Sequence, residues 1–183
     1  DAAPSIVGDI VREYQTKYQH IVYKKIENKG IAANTNAAAE LASGEYLALA
    51  DHDDILAPHA MYTMGKAIAQ LREAGEPDGF LYSDEALFTK KIEKPLVAHF
   101  KPDYAPDYLL CCNYICHLAV FRRELFEQMG GERPECDGSQ DHDLFLRLIE
   151  QVGGAAHVPQ VLYYWRGATT ESPAGTPPET SDG

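Results

Sequence analysis

Apolar residues recur at helical spacing at Ile6, Ile10, Val11, Tyr14 and Tyr18, and Ile21-Val22-Tyr23 follows as a short run with the character of a strand. Asn28-Lys29-Gly30 reads as a turn. Ile31 to Ala42 is an alanine-rich stretch predicted to be helical and to stop at Ser43-Gly44, where glycine admits left-handed backbone. Tyr46-Leu47-Ala48-Leu49-Ala50 is continuously apolar, the pattern of a central strand covered on both faces, and it leads directly into Asp51-His52-Asp53-Asp54. Pro58 suits the first turn of a helix extending to about Ala74, and Gly79 to Ser83 predicts another strand. Between Phe88 and Ile115 the prolines at 95, 102 and 106 break the periodicity, so an irregular crossing with one short helix is expected. Helices over Arg122–Met129 and Ser139–Val152 and a strand over Val158–Trp165 complete the pattern.

Such alternation of helix and strand predicts a three-layer α/β domain over residues 1–167 with a mainly parallel central sheet. Ligands bind such sheets beyond the carboxyl ends of the strands, where the aspartate cluster is expected to lie. From Ala168 to Gly183 the proline, glycine, serine and threonine content predicts a disordered tail.

Length and charge narrow the function classes. A chain of 183 residues buries one core without staples. No apolar run approaches the roughly 20 residues of a spanning helix. The net charge of −12, with no basic patch to offset it, argues against nucleic acid or an anionic membrane surface as partner. An anionic nucleotide would need a cation as intermediary. The four cysteines, at 111, 112, 116 and 136, lack the paired spacing of a zinc site and are expected to be buried free thiols. The absence of a signal-peptide pattern favours a cytoplasmic setting.

Three carboxylates within Asp51–Asp54, at the end of an apolar strand, repel one another unless a cation or hydrogen-bond donors neutralise them. Mn²⁺ or Mg²⁺ suits such hard oxygen ligands. The blander reading is a solvated acidic turn. Farther along, Asp141 falls in the first turn of the helix that Ser139 is expected to cap, on the face of Leu144, Phe145 and Leu148, so it should lean inward. Asp143 lies four residues before Arg147 and is read as half of a surface ion pair. For Asp141 the competing explanation is stabilisation of the helix dipole.

The ordered series Asn28-x-Gly30-Ile31-Ala32-Ala33-x-x-Asn36, Ala42-x-Gly44-Glu45-Tyr46, Asp51-His52-Asp53-Asp54 and Tyr82-Ser83-Asp84-Glu85 resembles the family 2 glycosyltransferases of the GT-A fold. Phe100-Lys101-Pro102-Asp103, Asn113-Tyr114-Ile115, Gly138-Ser139-Gln140-Asp141, His157-Val158-Pro159 and Leu162-Tyr163-x-Trp165-Arg166 are similar to the subgroup that acts in bacterial surface-polysaccharide assembly. The resemblance implies a metal-dependent inverting transferase that moves a sugar from a nucleotide donor, UDP- or dTDP-linked, to a saccharide or lipid-linked acceptor. It implies Asp51 and Asp53 at the metal, Asn36, Asp51, Asp54 and Asp84 toward the donor, Asp141 as the catalytic base, and Trp165 and Arg166 toward the acceptor. Asp84 and Glu85 are the next candidates for the base.

The sequence departs from that pattern in three places. Gln140 stands where the family has Glu, and Tyr164 stands where many members carry a His that completes the metal site, with His157 a candidate to replace it. The family's opening strand would precede the first helix, and the chain as given starts at Asp1 without it. Three rival readings follow from the same residues. Asp51-x-Asp53 after an apolar strand superficially matches a haloacid dehalogenase-like phosphatase, the departures suit a non-catalytic carbohydrate- or nucleotide-binding module, and the sheet could serve a nucleotidyltransferase.

Overall fold

A computed structural model describes residues 6–167, so the predicted tail at 168–183 lies outside the described residues. The elements in chain order are α1 (Val7–Gln15), α2 (Ile31–Ala39), β1 (Tyr46–Ala48), β2 (Ile55–Leu56), α3 (Ala60–Ala74), β3 (Phe80–Phe88), β4 (Val97–His99), α4 (Pro106–Cys111), β5 (Ala119–Arg122), α5 (Arg123–Gln128), α6 (Gln140–Val152) and β6 (Ala156–Arg166). The sheet runs β1-β5-β3-β6-β2, with β4 also paired to β3.

The expected three layers are present. Along β3, Phe80 and Tyr82 face one core with Phe121 of β5 and Leu144, Phe145 and Leu148 of α6, while Leu81 faces a second core with Val120, Val158 and Met64 and Ile68 of α3. This is the strand's period of two, burying apolar side chains on both faces of one ribbon.

The sheet is mixed, and this corrects the expected parallel arrangement. Among the described residues only β3 and β6 pair in parallel, whereas β1–β5, β3–β5, β3–β4 and β2–β6 are antiparallel. Apolar pattern reports burial but not strand direction, and β5 and β2 join the sheet through partners distant in sequence, β1 and β3 for β5 and β6 for β2. Strands β1, β3 and β6 nevertheless point the same way, which puts the turn after β1 and the end of β6 on one side of the sheet.

Several local expectations are also revised. Strand β1 pairs only with β5 among the described residues and is covered unevenly, so its apolar run marks a partly exposed end of the sheet. Ile21-Val22-Tyr23 has no strand pairing, and Val22 and Tyr23 are exposed. Helix α2 ends at Ala39 rather than at Gly44; left-handed glycine stops occur instead at Gly75 after α3 and Gly153 after α6. The four thiols are free, but Cys111 and Cys112 are exposed at the end of α4 rather than buried.

A buried carboxylate ties one end of the sheet together. Asp78 accepts hydrogen bonds from Arg72 of α3, Arg122 of β5 and the Tyr46 hydroxyl of β1. Burial opposes its charge, but the bonds from Arg72, Tyr46 and Arg122 outweigh that and hold the carboxyl far below its usual range.

Candidate active site

The turn after β1 is fastened to β6 by a tyrosine and an arginine. The Tyr163 hydroxyl donates to Asp54 Oδ2 at 2.7 Å and accepts from the Asp51 N–H at 3.0 Å. Burial, reinforced by the bond to Asp54, pushes the Tyr163 phenol up, so it stays protonated and donating. The Arg166 N–H donates to Asp54 Oδ1 and its Nε to the Asp53 carbonyl, each at 2.7 Å. Its guanidinium also lies over the Phe88 ring, 4.6 Å from the centroid. Arg166, expected at the acceptor, is thus engaged in shaping the acidic turn.

A third element completes the cluster. His117, in the loop before β5, stacks its ring on Tyr163 with centroids 4.6 Å apart, and its Nε2 lies 3.9 Å from Asp51 Oδ2. One ligand atom each from Asp51, Asp54 and His117 falls within 4.8 Å of the others. Two carboxylates and an imidazole fit a first-row divalent cation, with the nitrogen favouring Mn²⁺ over Mg²⁺. Asp53, expected at the metal beside Asp51, is exposed and outside this group.

The His117 loop is held from beneath by buried charge. Glu85 Oε2 accepts from the His117 N–H at 3.2 Å and from Lys101 Nζ at 3.3 Å. Lys101 Nζ also donates to the carbonyls of Ile115, at 2.5 Å, and His117. Burial pushes the Lys101 ammonium down, against the opposing pull of Glu85. Asp84, expected toward the donor, is buried and accepts from the Lys101 N–H and faces His157 Nε2, both at 2.9 Å. His157, bonded also to Asp103, therefore does not join the cation cluster. Glu85 and Asp84 act as buried framework in a strand that is otherwise mostly apolar.

Tyr164 is the departure that the fold accounts for. On β6, Tyr163 and Trp165 share one face by the alternation of the strand, and Tyr164 packs edge-on against Phe88 on the other. The imidazole that lies beside Asp51 and Asp54 is that of His117, not of His157, the candidate read from the sequence. Trp165, 43% exposed, stands on the Tyr163 face where a sugar ring could stack.

A cavity of about 550 Å³ opens beside the cluster, lined by Asp51 and His117 together with Thr35, Glu132, Gln140 and Asp141. Ser139 occupies the N-cap position of α6 without a side-chain cap bond. Asp141 follows in the first turn, half-buried, its Oδ2 accepting from Asn113 Nδ2 at 2.8 Å and its Oδ1 from the His142 N–H at 2.9 Å. One carboxylate edge is thereby oriented while lone pairs remain for a substrate proton. Cys116 also lines the cavity, but burial and the Glu85 charge push its thiol up to about 11, so it is not a nucleophile at neutral pH.

Asn36 does not line this cavity. Its amide clasps the backbone of Glu132, donating to the carbonyl and accepting from the N–H, both at 2.8 Å. A Cβ on Gly131 (φ +76°) would collide with the Asn36 amide, so glycine is required there. Asp143 and Arg147 do pair, at 2.8 Å, but the pair is largely buried, and Arg147 also donates to the Gly131 carbonyl at 2.8 Å. Rather than decorating the surface, it braces the glycine loop. Asp137 caps α2 by accepting from the Ala32 N–H at 2.9 Å. His117 and Glu132 are polar cavity residues that the sequence reading did not single out. Their positions depend on contacts distant in sequence, and the nearest motif read from the sequence, Asn113-Tyr114-Ile115, lies just before His117 and nowhere near Glu132.

Comparison with known proteins places this geometry in a family. The family model described as glycosyl transferase family 2 matches residues 1–130. An uncharacterised protein, y4gI, of Sinorhizobium fredii is 37% identical over 174 residues, covering 93% of this chain and 18% of that protein. The O-antigen biosynthesis protein RfbC of Myxococcus xanthus is 32% identical over 164 residues, covering 89% of this chain and 12% of that protein. The chain thus spans less than a fifth of these relatives. Among solved structures, S. aureus TarS 1–349 in complex with UDP-GlcNAc matches with a TM-score of 0.67 at 16% identity, over 93% of this chain and 49% of that one. The mannosyltransferase PcManGT of Pyrobaculum calidifontis, in complex with GDP-Man and Mn²⁺, matches with a TM-score of 0.63 at 17% identity, over 93% and 47%. These likenesses carry the GT-A fold, and the family match removes the phosphatase and nucleotidyltransferase readings. The chain belongs to glycosyl transferase family 2.

Proposed function

We propose that this domain transfers a sugar from a UDP- or dTDP-linked donor to a saccharide or lipid-linked acceptor in cell-surface polysaccharide synthesis, with inversion at the anomeric carbon. The observation that carries the reading is that Asp51 and His117 of a cation-competent cluster, which Asp54 completes, line one cavity with Asp141. The O-antigen relative supports the pathway, the UDP-GlcNAc and GDP-Man complexes of the neighbours support a nucleotide-sugar donor, and the Mn²⁺ in one neighbour supports the metal. No helix among the described residues is long and apolar enough to cross a membrane. The cytoplasmic setting read from the sequence is kept as part of this proposal.

In this reading Asp51, Asp54 and His117 hold Mn²⁺ or Mg²⁺, and Asp53, exposed in the same turn, is the further carboxylate available to the donor side. When bound, the metal supplies positive charge to the diphosphate leaving group. Asp141 accepts the acceptor hydroxyl proton as that oxygen attacks the anomeric carbon, and Asn113 keeps its carboxylate oriented. Trp165 offers its face to the acceptor ring. Asp141→Asn preserves shape but cannot take the proton. Transfer should fall roughly 10²- to 10⁴-fold with donor affinity unchanged. Turnover at the wild-type level would move the base elsewhere, with Glu85 and Asp84 already engaged in the buried framework.

A non-catalytic binding domain is the second reading, because Arg166, Asp84 and Asn36 are engaged structurally rather than toward ligands. Release of free sugar from UDP-GlcNAc in the presence of Mn²⁺ separates the two.

A further inference from the structure

Glu132 is a carboxyl group that the fold holds in place but satisfies only in part: Thr35 hydrogen-bonds to it, and one oxygen is left over. It is 3% exposed, lines the cavity shared with Asp51, His117 and Asp141, and its Oε2 has no hydrogen-bond partner among the described residues. Its backbone is clamped on both sides by the Asn36 amide, and the preceding Gly131 is braced by Arg147. A buried polar atom with no partner is costly, and one held rigidly at a cavity wall is a group waiting for a ligand.

The surrounding charges say what kind. The groups around it are Thr35 of α2, Asp137 of the loop before α6, and Asp141 and Arg147 of α6. Arg147 is engaged by Asp143 and by backbone carbonyls. Among the described residues around Glu132, Arg147 is the one cation and it is already engaged, so a phosphate placed there, away from the cation cluster, would meet carboxylates. A neutral hydroxyl meets no such repulsion and matches a carboxyl that can accept or, when protonated, donate.

We propose that Glu132 is a specificity-determining residue of the transfer site, binding a hydroxyl of the sugar handled beside Asp141. This rests on the transferase reading above. Burial, aided by the charges of Asp141 and Asp137, pushes the Glu132 carboxyl up to about 7, so its hydrogen-bonding role changes from donor to acceptor across neutral pH.

The sugar hydroxyl can belong to donor or acceptor, and two arms separate them. In the first, UDP and UDP-GlcNAc are titrated calorimetrically with Mn²⁺ into wild type, Glu132→Gln and Glu132→Leu. In the second, GlcNAc transfer from UDP-GlcNAc to methyl β-D-glucoside is followed in the same variants. If the donor sugar is bound, Glu132→Leu weakens UDP-GlcNAc roughly ten- to hundredfold and leaves UDP unchanged. If the acceptor sugar is bound, donor affinity holds and the KM for the glucoside rises by a similar factor. In either case Glu132→Gln, which keeps both a donor and an acceptor, stays within about threefold of wild type at pH 7 and removes the change in sugar affinity between pH 6 and pH 8. Equal UDP-GlcNAc affinity and equal glucoside KM in wild type and Glu132→Leu would overturn the proposal alone. Absence of Mn²⁺-dependent UDP binding in wild type would overturn the transferase reading and this proposal with it.

Discussion

Tyr163 and Asp54 are joined by a 2.7 Å hydrogen bond across the gap between the last strand and the turn after the first, and the same hydroxyl accepts the Asp51 N–H. One buried phenol therefore sets the direction of one proposed cation ligand and the backbone of another. Removing the hydroxyl while keeping the ring isolates this effect. Tyr163→Phe should keep the fold and weaken Mn²⁺ binding about 10- to 100-fold, the range typical for groups that orient ligands. Calorimetric titration with MnCl₂ measures it, and an unchanged affinity would show that the turn is positioned without the phenol.

The imidazole in the cluster predicts a metal preference. With His117 Nε2 beside Asp51 Oδ2, the wild-type protein should favour Mn²⁺ over Mg²⁺. Replacement by His117→Gln leaves an all-oxygen set and should shrink that ratio several-fold, mainly through loss of Mn²⁺ affinity. Competition between the two ions, read by the Mn²⁺ paramagnetic signal, gives the ratio directly; the same ratio in both proteins would remove His117 from the site.

Stability should carry the signature of Glu132. Its folded carboxyl titrates near 7 against an ordinary value of 4.5, so the folded state binds the extra proton between those values. Its contribution is complete below about pH 4.5 and is lost as pH rises toward 7 and beyond. The difference sets an upper bound of about 3 kcal/mol, at 1.36 kcal/mol per pH unit. Urea unfolding at pH 5 and pH 8 should show a fall in wild type that Glu132→Gln lacks. Parallel behaviour of the two proteins would mean that the carboxyl is not shifted.

Asp78 provides a control away from the cavity. Its hydrogen bonds from Arg72, Arg122 and Tyr46 join α3, β5 and β1, and Asp78→Asn should cost about 2–3 kcal/mol in urea unfolding with no change in Mn²⁺ affinity. Because its folded carboxyl is held far below the ordinary range, its contribution is present above that range and is lost as pH falls through it in strong acid. A loss of metal affinity in Asp78→Asn would tie the two ends of the sheet together.

The strongly periodic parts of the chain were legible before the fold was known. Leu144, Phe145 and Leu148 announced α6 and the inward lean of Asp141, and Val158–Trp165 announced most of β6. Strand β5 was not read from the sequence, because Ala119–Phe121 is too short a run to show a period, and its direction against β1 and β3 was not legible either. Nor was the destination of polar groups. Asn36, Asp84 and Arg166 carry the residue types of ligand contacts, yet their hydrogen bonds close on Glu132, on Lys101 and His157, and on Asp53 and Asp54. His117 and Glu132 reach the cavity through pairings with Tyr163 and Asn36, 46 and 96 residues away, which local pattern does not encode.

The central claim is that a cation at Asp51, Asp54 and His117 recruits a nucleotide sugar to the cavity bearing Asp141. Calorimetric titration of UDP-GlcNAc into the wild-type protein, with Mn²⁺ and then with the metal chelated, tests it most directly, with Asp51→Ala and Asp141→Asn as paired variants. The account predicts binding that requires Mn²⁺, disappears in Asp51→Ala and persists in Asp141→Asn. Binding that survives chelation, or that survives in Asp51→Ala, would contradict it.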